Sequence, residues 1–240
     1  MNKSSAIYIG KDLESMSFAV NYHKWILDEF RPFLGKHLVE VGAGRGNFSE
    51  LLLPENPKNL ILVEPSGMLD LLRETIIRSK TDAEITFYPS VFAHVAEEIA
   101  AGDKPDSIIY VNVLEHIEED SAELEIVHRT LKTGGRCFIF VPAFMSLYGE
   151  FDRQIGHYRR YAKKEIEEKC RAAGFKILKS KYFDLAGIFP WYIKYKLLRS
   201  DSLESRAVTL YDRVVVPFAQ KLEKIFPVPA GKNILIVVEK

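Results

Sequence analysis

Two carboxylates and three closely spaced glycines offer the most specific chemistry in this sequence. Glu40 stands two positions before the first glycine of the run Val39-Glu40-Val41-Gly42-Ala43-Gly44-Arg45-Gly46. Glycines so placed open backbone angles closed to other residues and let the main chain approach a ligand. An apolar run before them and a helical pattern after them make the frame in which nucleoside and dinucleotide ligands bind. A nicotinamide fingerprint needs glycine at the first, third and sixth positions. Here those are Gly42, Gly44 and Asn47, so the sixth fails. A carboxylate at a strand tip also suits a cationic ligand better than a pyrophosphate, which prefers an uncharged turn. Glu64 closes the next apolar run, where a carboxylate can accept both hydroxyls of a ribose.

The Glu40 to Gly46 segment resembles motif I of the class I S-adenosylmethionine-dependent methyltransferases. The resemblance implies that Glu40 meets the cationic methionine end of the cofactor, and that Gly42, Ala43, Gly44, Gly46, Asn47 and Phe48 cradle it. It further implies that Glu64 binds the ribose while Pro65, Ser66 and Met68 wall the adenine. Ser90 and Val91 stand where many relatives keep an aspartate near the adenine amino group, and Asn112, Val113 and Leu114 complete the cofactor set. Asn112-Val113-Leu114-Glu115-His116-Ile117 and Lys132-Thr133-Gly134-Gly135-Arg136 are similar to motifs of the small-molecule, ubiquinone-biosynthesis-like type. The similarity covers about residues 20–182 plus the final strand. Asn21 to Trp25 and Ile155 to Tyr161 look like a bacterial and archaeal set often found with glycan or glycolipid metabolism.

Transfer of a methyl from a sulfonium already has a good leaving group, so the protein mainly aligns the reactants and excludes water. A hydroxyl acceptor also wants a base near its proton. His157 and Tyr158 are candidates for that base or for an acceptor-orienting role, with Arg159 and Arg160 holding an anionic substrate. The same loop could instead be tied to carboxylates such as Asp152. His116 is a further candidate base. Glu115-His116 invites a metal reading, but Asn112 replaces the first glutamate of the relatives' Glu-x-x-Glu-His, so no metal is expected. Tyr22 and Trp25 lie one helical step apart on a helix that caps the cleft in relatives. Tyr22 is expected in the cofactor pocket and Trp25 at the substrate, although core packing explains Trp25 as well. The Asx-Pro-Pro-aromatic tetrad that orients amide nitrogens is absent, which points to a small-molecule, sugar or lipid-linked acceptor.

Alternating elements must position these residues. Apolar runs predict strands over His37–Val41, Asn59–Glu64, Glu84–Tyr88, Ser107–Val113, Arg136–Val141, Phe175–Lys181 and Ile234–Glu239. Helical periodicity separates them, notably through Phe18, Tyr22, Trp25, Ile26, Phe30 and Phe33. That alternation implies right-handed crossovers and a parallel sheet covered on both faces. With the resemblance, the expected fold is α/β: a seven-stranded, mostly parallel, doubly wound Rossmann-like sheet with its last strand antiparallel. The chain reads as a single methyltransferase domain over 1–240, with an N-terminal capping helix region over 1–35.

A helical insertion over 187–232 precedes the last strand, as a lid, a membrane contact through 187–226, or an oligomer face. Residues 187–240 carry nine basic side chains against five acidic ones. Over the whole chain, Lys+Arg and Asp+Glu both number 33, so no global field draws it to nucleic acid, and none is expected as partner. Cys137 and Cys170 form no metal-type spacing, and neither a secretory signal nor a membrane-spanning run is apparent. A cytoplasmic protein is expected, with peripheral membrane contact left open. The remaining alternatives are a non-catalytic cofactor-binding partner protein and an NAD-dependent oxidoreductase.

Overall fold

The computed structural model describes residues 19–198 and 205–240; residues 1–18 and 199–204, with Phe18, Arg199, Asp201 and Glu204, lie outside the described residues. Seven strands form one sheet in the order β3-β2-β1-β4-β5-β7-β6. They are β1 (His37–Val41), β2 (Asn59–Val63), β3 (Glu84–Tyr88), β4 (Ser107–Val111), β5 (Arg136–Pro142), β6 (Lys176–Phe183) and β7 (Asn233–Glu239). Only β7 runs antiparallel, wedged between β5 and β6. The apolar runs of β1, β4 and β5 are buried on both faces, because helices cover each side of the sheet.

The strand order reverses between β1 and β4, which both leave their C-terminal ends at the same edge. At such a switch point, loops leave in opposite directions and a crevice opens. β4 stops two residues earlier than expected. Asn112 turns to a left-handed φ of 54°, which no strand can continue. The helix after β2 begins at Leu69, after a Ser66 to Met68 turn held by the Ser66 hydroxyl.

The Val20–Phe30 helix buries Tyr22, His23, Trp25, Ile26, Leu27 and Phe30 along one face. It has no cap of its own. Asp212, from the insertion, supplies one by accepting the Asn21 and Tyr22 N–H groups at 3.0 and 2.8 Å. The insertion lies between β6 and β7. Its first helix runs from Ile188 to Trp191 and widens into a π-helical stretch over Tyr192–Leu197. Its second runs over Ser205–Leu210, widens over Tyr211–Val215, and continues as an α-helix over Val216–Ile225. Each wide stretch contributes to the crevice lining, Tyr195 from the first and Tyr211 from the second.

Candidate active site

The glycine turn after β1 forms the floor of a cleft of about 340 Å³. Gly42, Gly44 and Gly46 have φ of 72°, 56° and 87°. A Cβ on Gly42 would sit 2.4 Å from Val113 Cγ2, so the close approach of the two loops requires glycine there. Glu40 is buried at the tip of β1, and its Oε2 accepts the Ser49 hydroxyl at 2.5 Å. Burial pushes its carboxyl up to about 8, and the nearby Glu64 charge adds to the shift against the Ser49 hydrogen bond. A cation arriving beside it would meet a group ready to release a proton.

Glu64 is fixed by two backbone donors. Gly44 N–H donates to Oε2 at 2.6 Å and Ser66 N–H to Oε1 at 2.8 Å. The ribose candidate is thereby locked to the glycine turn before any ligand arrives. Glu40, Gly42, Ala43, Gly44, Asn47, Phe48 and Asn112 line the cleft, together with Tyr22. Gly46 instead packs against Leu72 and Thr75 beneath the turn. Pro65, Ser66, Met68, Ser90 and Val91 sit outside the cleft proper, on the rim beyond β2 and β3. Val113 presses on Gly42, and Leu114 is buried in the core.

Across the cleft, a loop after β5 brings His157 to the wall. Its Nδ1 lies 2.9 Å from Asp152 Oδ1, and its Nε2 lies 3.7 Å from Glu115 Oε1. Asp152 is fully buried and also takes the Arg160 guanidinium at 2.8 Å and the Gly149 N–H at 2.9 Å. Although burial opposes it, these partners, His157 foremost, hold the Asp152 carboxyl below its usual range. An ionised Asp152 requires the proton on Nδ1 and leaves the Nε2 lone pair free whenever the ring is neutral. Burial pushes the Glu115 carboxyl up to about 7, and neither of its oxygens has a hydrogen-bond partner.

His116 packs edge-on against His157 at a ring separation of 4.6 Å. Burial, then the His157 charge, lower it to about 3, which makes it a feeble proton acceptor. Ligand atoms of Glu115, His116 and His157 all lie within 4.8 Å of one another, close enough to share one small cation. The Glu115-His116 pair, at which no metal was expected because Asn112 replaces a glutamate, shares a pocket with His157.

Three expected contacts fall elsewhere. Trp25 is buried against Phe183 at a ring separation of 3.9 Å, within the core and away from the cleft lining. Tyr158 faces solvent. Arg159 turns outward to pair with Asp120 at 2.8 Å, while its neighbour Arg160 turns inward. Even there Arg160 is not a free anion receptor, because Asp152 neutralises it and Trp191 stacks on it at 4.6 Å.

A polar knot at the roof was missed entirely. Asp184, at φ 64°, accepts the Lys232 ammonium at 3.2 Å, the Gly187 N–H at 2.9 Å and the Tyr211 hydroxyl. The Tyr22 hydroxyl lies 3.1 Å from Asp184 Oδ2 and 3.0 Å from Asn233 Oδ1. Lys232 sits over the faces of Tyr22, Trp191 and Tyr211. The one available signal was an isolated Lys-Asn pair opening the last strand.

A switch-point crevice above a glycine turn, with two carboxylates at adjacent strand tips, defines a nucleoside-cofactor enzyme of the Rossmann-like class. The sequence profile of the methyltransferase domain family matches residues 20–180, and the chain belongs to that family. Its activity is methyl transfer from S-adenosylmethionine. Among solved structures, the fold is similar to an S-adenosylmethionine-dependent methyltransferase from Archaeoglobus fulgidus, at 18% identity and a TM-score of 0.62, over 95% of this chain and 99% of that one. It is also similar to phosphoethanolamine N-methyltransferase 2 of Haemonchus contortus, at 18% identity and TM-score 0.60, over 99% of this chain and 60% of that one. The N-methyltransferase NodS of Bradyrhizobium japonicum, solved with S-adenosylhomocysteine, aligns at 11% identity and TM-score 0.58, over 93% of this chain and 87% of that one. No curated protein matches the sequence significantly.

Proposed function

We propose that this enzyme methylates a small acceptor, free or carried on a sugar or lipid, at an ionisable hydroxyl whose proton His157 removes. The observation that carries this reading is the buried Asp152–His157 pair on the cleft wall, at 2.9 Å, with Nε2 left unbonded. Asp152 orients the ring and favours the imidazolium formed when Nε2 takes a proton. His116, lowered by burial, would stay neutral and pack against the base.

Glu40 would hold the cationic end of the cofactor, and Glu64, already bonded to Gly44 and Ser66, its ribose. Of the three left-handed glycines, Gly42 and Gly44 line the cleft and add no side chain between turn and ligand. When bound, S-adenosylmethionine supplies an electrophilic methyl and its own leaving group. Tyr22, Trp191, Tyr195 and Tyr211 supply aromatic faces that exclude water and fit the apolar part of an acceptor. The Asn112 to Ile117 segment supports the small-molecule subtype. Two buried, unpaired thiols, Cys137 and Cys170, suit a cytoplasmic setting.

An acceptor screen by homocysteine release tests the reading, with phenols, sugars and lipid-linked alcohols as separate arms. On any acceptor turned over, His157→Ala should lower kcat strongly. Unchanged turnover would remove His157 from the reaction.

A further inference from the structure

The insertion's inner surface roofs the cleft, while its outer surface has no partner among the described residues. Leu210, Val214, Phe218, Leu222 and Phe226 follow at four-residue steps, and all are exposed, Phe218 by 73%. Four-residue spacing drifts around an α-helix, but the wider Tyr211–Val215 stretch offsets that drift and keeps the row on one side. The first insertion helix adds Phe189, Leu197 and Leu198, also exposed. An apolar surface of this extent marks an interaction site rather than ordinary scatter.

Its charges are sorted by sign. Within 188–198 and 205–226, Lys196, Arg206, Arg213, Lys221 and Lys224 are exposed. The acids of those stretches, Asp212 and Glu223, both point inward. Asp212 caps the Val20–Phe30 helix, and Glu223 accepts the Asp184 and Leu185 N–H groups. Among the described residues of the insertion, the exposed charges around this apolar row are thus all cations, although the chain as a whole carries equal numbers of acidic and basic residues.

We propose that the insertion docks on the surface of an anionic lipid bilayer, with the Leu210 to Phe226 row entering the headgroup boundary and the flanking cations meeting acidic lipids. The charge pattern selects this occupant. A second copy packed on the same face through a two-fold axis would set cations against cations, which costs affinity. Among the described residues no helix is long and apolar enough to cross a membrane, so the row lies in the interface plane. Docking brings the roof of the cleft, with Trp191, Tyr195 and Tyr211, onto the lipid surface. The proposal does not depend on which acceptor is methylated.

The test is flotation of the full chain with vesicles of phosphatidylcholine, with and without phosphatidylglycerol. We expect binding to the anionic vesicles that weakens as salt rises. The double substitution Phe218→Asp and Leu222→Asp should lower partitioning by about tenfold or more, since each buried side chain contributes roughly one to two powers of ten. Lys221→Glu with Lys224→Glu should also lower it about tenfold or more. Unchanged melting temperature and S-adenosylmethionine binding would show that these exposed variants remain folded. Absence of flotation at low salt, or equal binding to both vesicle types, would overturn the proposal. A dimer dissolved by Phe218→Asp and Leu222→Asp, without lipid binding, would overturn it in favour of a second copy.

Discussion

The two walls of the cleft are built by different means. On the proposed cofactor side, main chain dominates: three left-handed glycines within five residues, and a carboxylate held by two backbone N–H groups. The roof and far wall are instead side chains gathered from afar, such as Tyr22 with Asp184 and Asn233, which are 162 and 211 positions apart. Backbone recognition tolerates little change yet is spelled in a short run. Side-chain recognition can be rewritten residue by residue, which suits a fold whose cofactor is constant and whose acceptors vary.

The largest effect should come from the acceptor wall. His157→Ala is expected to lower turnover by about 10²- to 10⁴-fold, with S-adenosylmethionine affinity by calorimetry nearly unchanged. A parallel fall in affinity would dissolve the division between the walls. The reverse pattern is expected for Glu64→Ala, which should weaken S-adenosylmethionine binding by roughly 10- to 100-fold, as for hydrogen bonds to a charged group. Turnover at saturating cofactor should suffer less.

Glu40 gives the division a pH signature. Its carboxyl, pushed up to about 8 in the free protein, must ionise to meet a cation, so binding should release a proton. Affinity should then rise by up to about tenfold per pH unit below pH 8, and Glu40→Gln should flatten the rise. The sign reverses for stability of the free protein. A carboxyl raised in the fold favours it fully below the ordinary carboxylate range, and that contribution fades as pH climbs through about 8. Melting curves of Glu40→Gln across this window should therefore decline less.

The smallest effect should be at Trp25, whose Nε1 is buried without a partner. Trp25→Phe removes that orphan donor and should cost only about 1 kcal/mol in urea denaturation, with acceptor KM unchanged. A raised KM would return Trp25 to the acceptor wall.

The same division explains what could be read in advance. β3 falls where its apolar run predicts, and the antiparallel last strand and the insertion before it are both present. The local geometry at Glu40, Gly42 and Glu64 is set by neighbours within a short run, which is why a motif could flag these positions. β4 was overextended because an apolar pattern does not reveal that Asn112 turns left-handed. Arg159 and Arg160 read alike as residue types, yet adjacent side chains leave a loop in opposite directions, one to Asp120 and one to Asp152. Helical spacing placed Tyr22 and Trp25 on one face, but whether that face met core or cleft depended on Phe183 and the insertion. Asp184 and Asp212 were invisible, since lone aspartates carry no trace of distant partners.

Those two aspartates bear on the tempo of catalysis. Asp212 ties the insertion to the start of the Val20–Phe30 helix, and Asp184 ties it to Lys232 and Tyr22. A roof hung on one hinge could flicker open independently of everything beneath it. With both knots in place, unroofing must strip a helix of its cap and expose a buried ion pair at the same moment. Ligand exchange that needs such unroofing should then be concerted and infrequent, paced by these contacts as much as by the glycine turn.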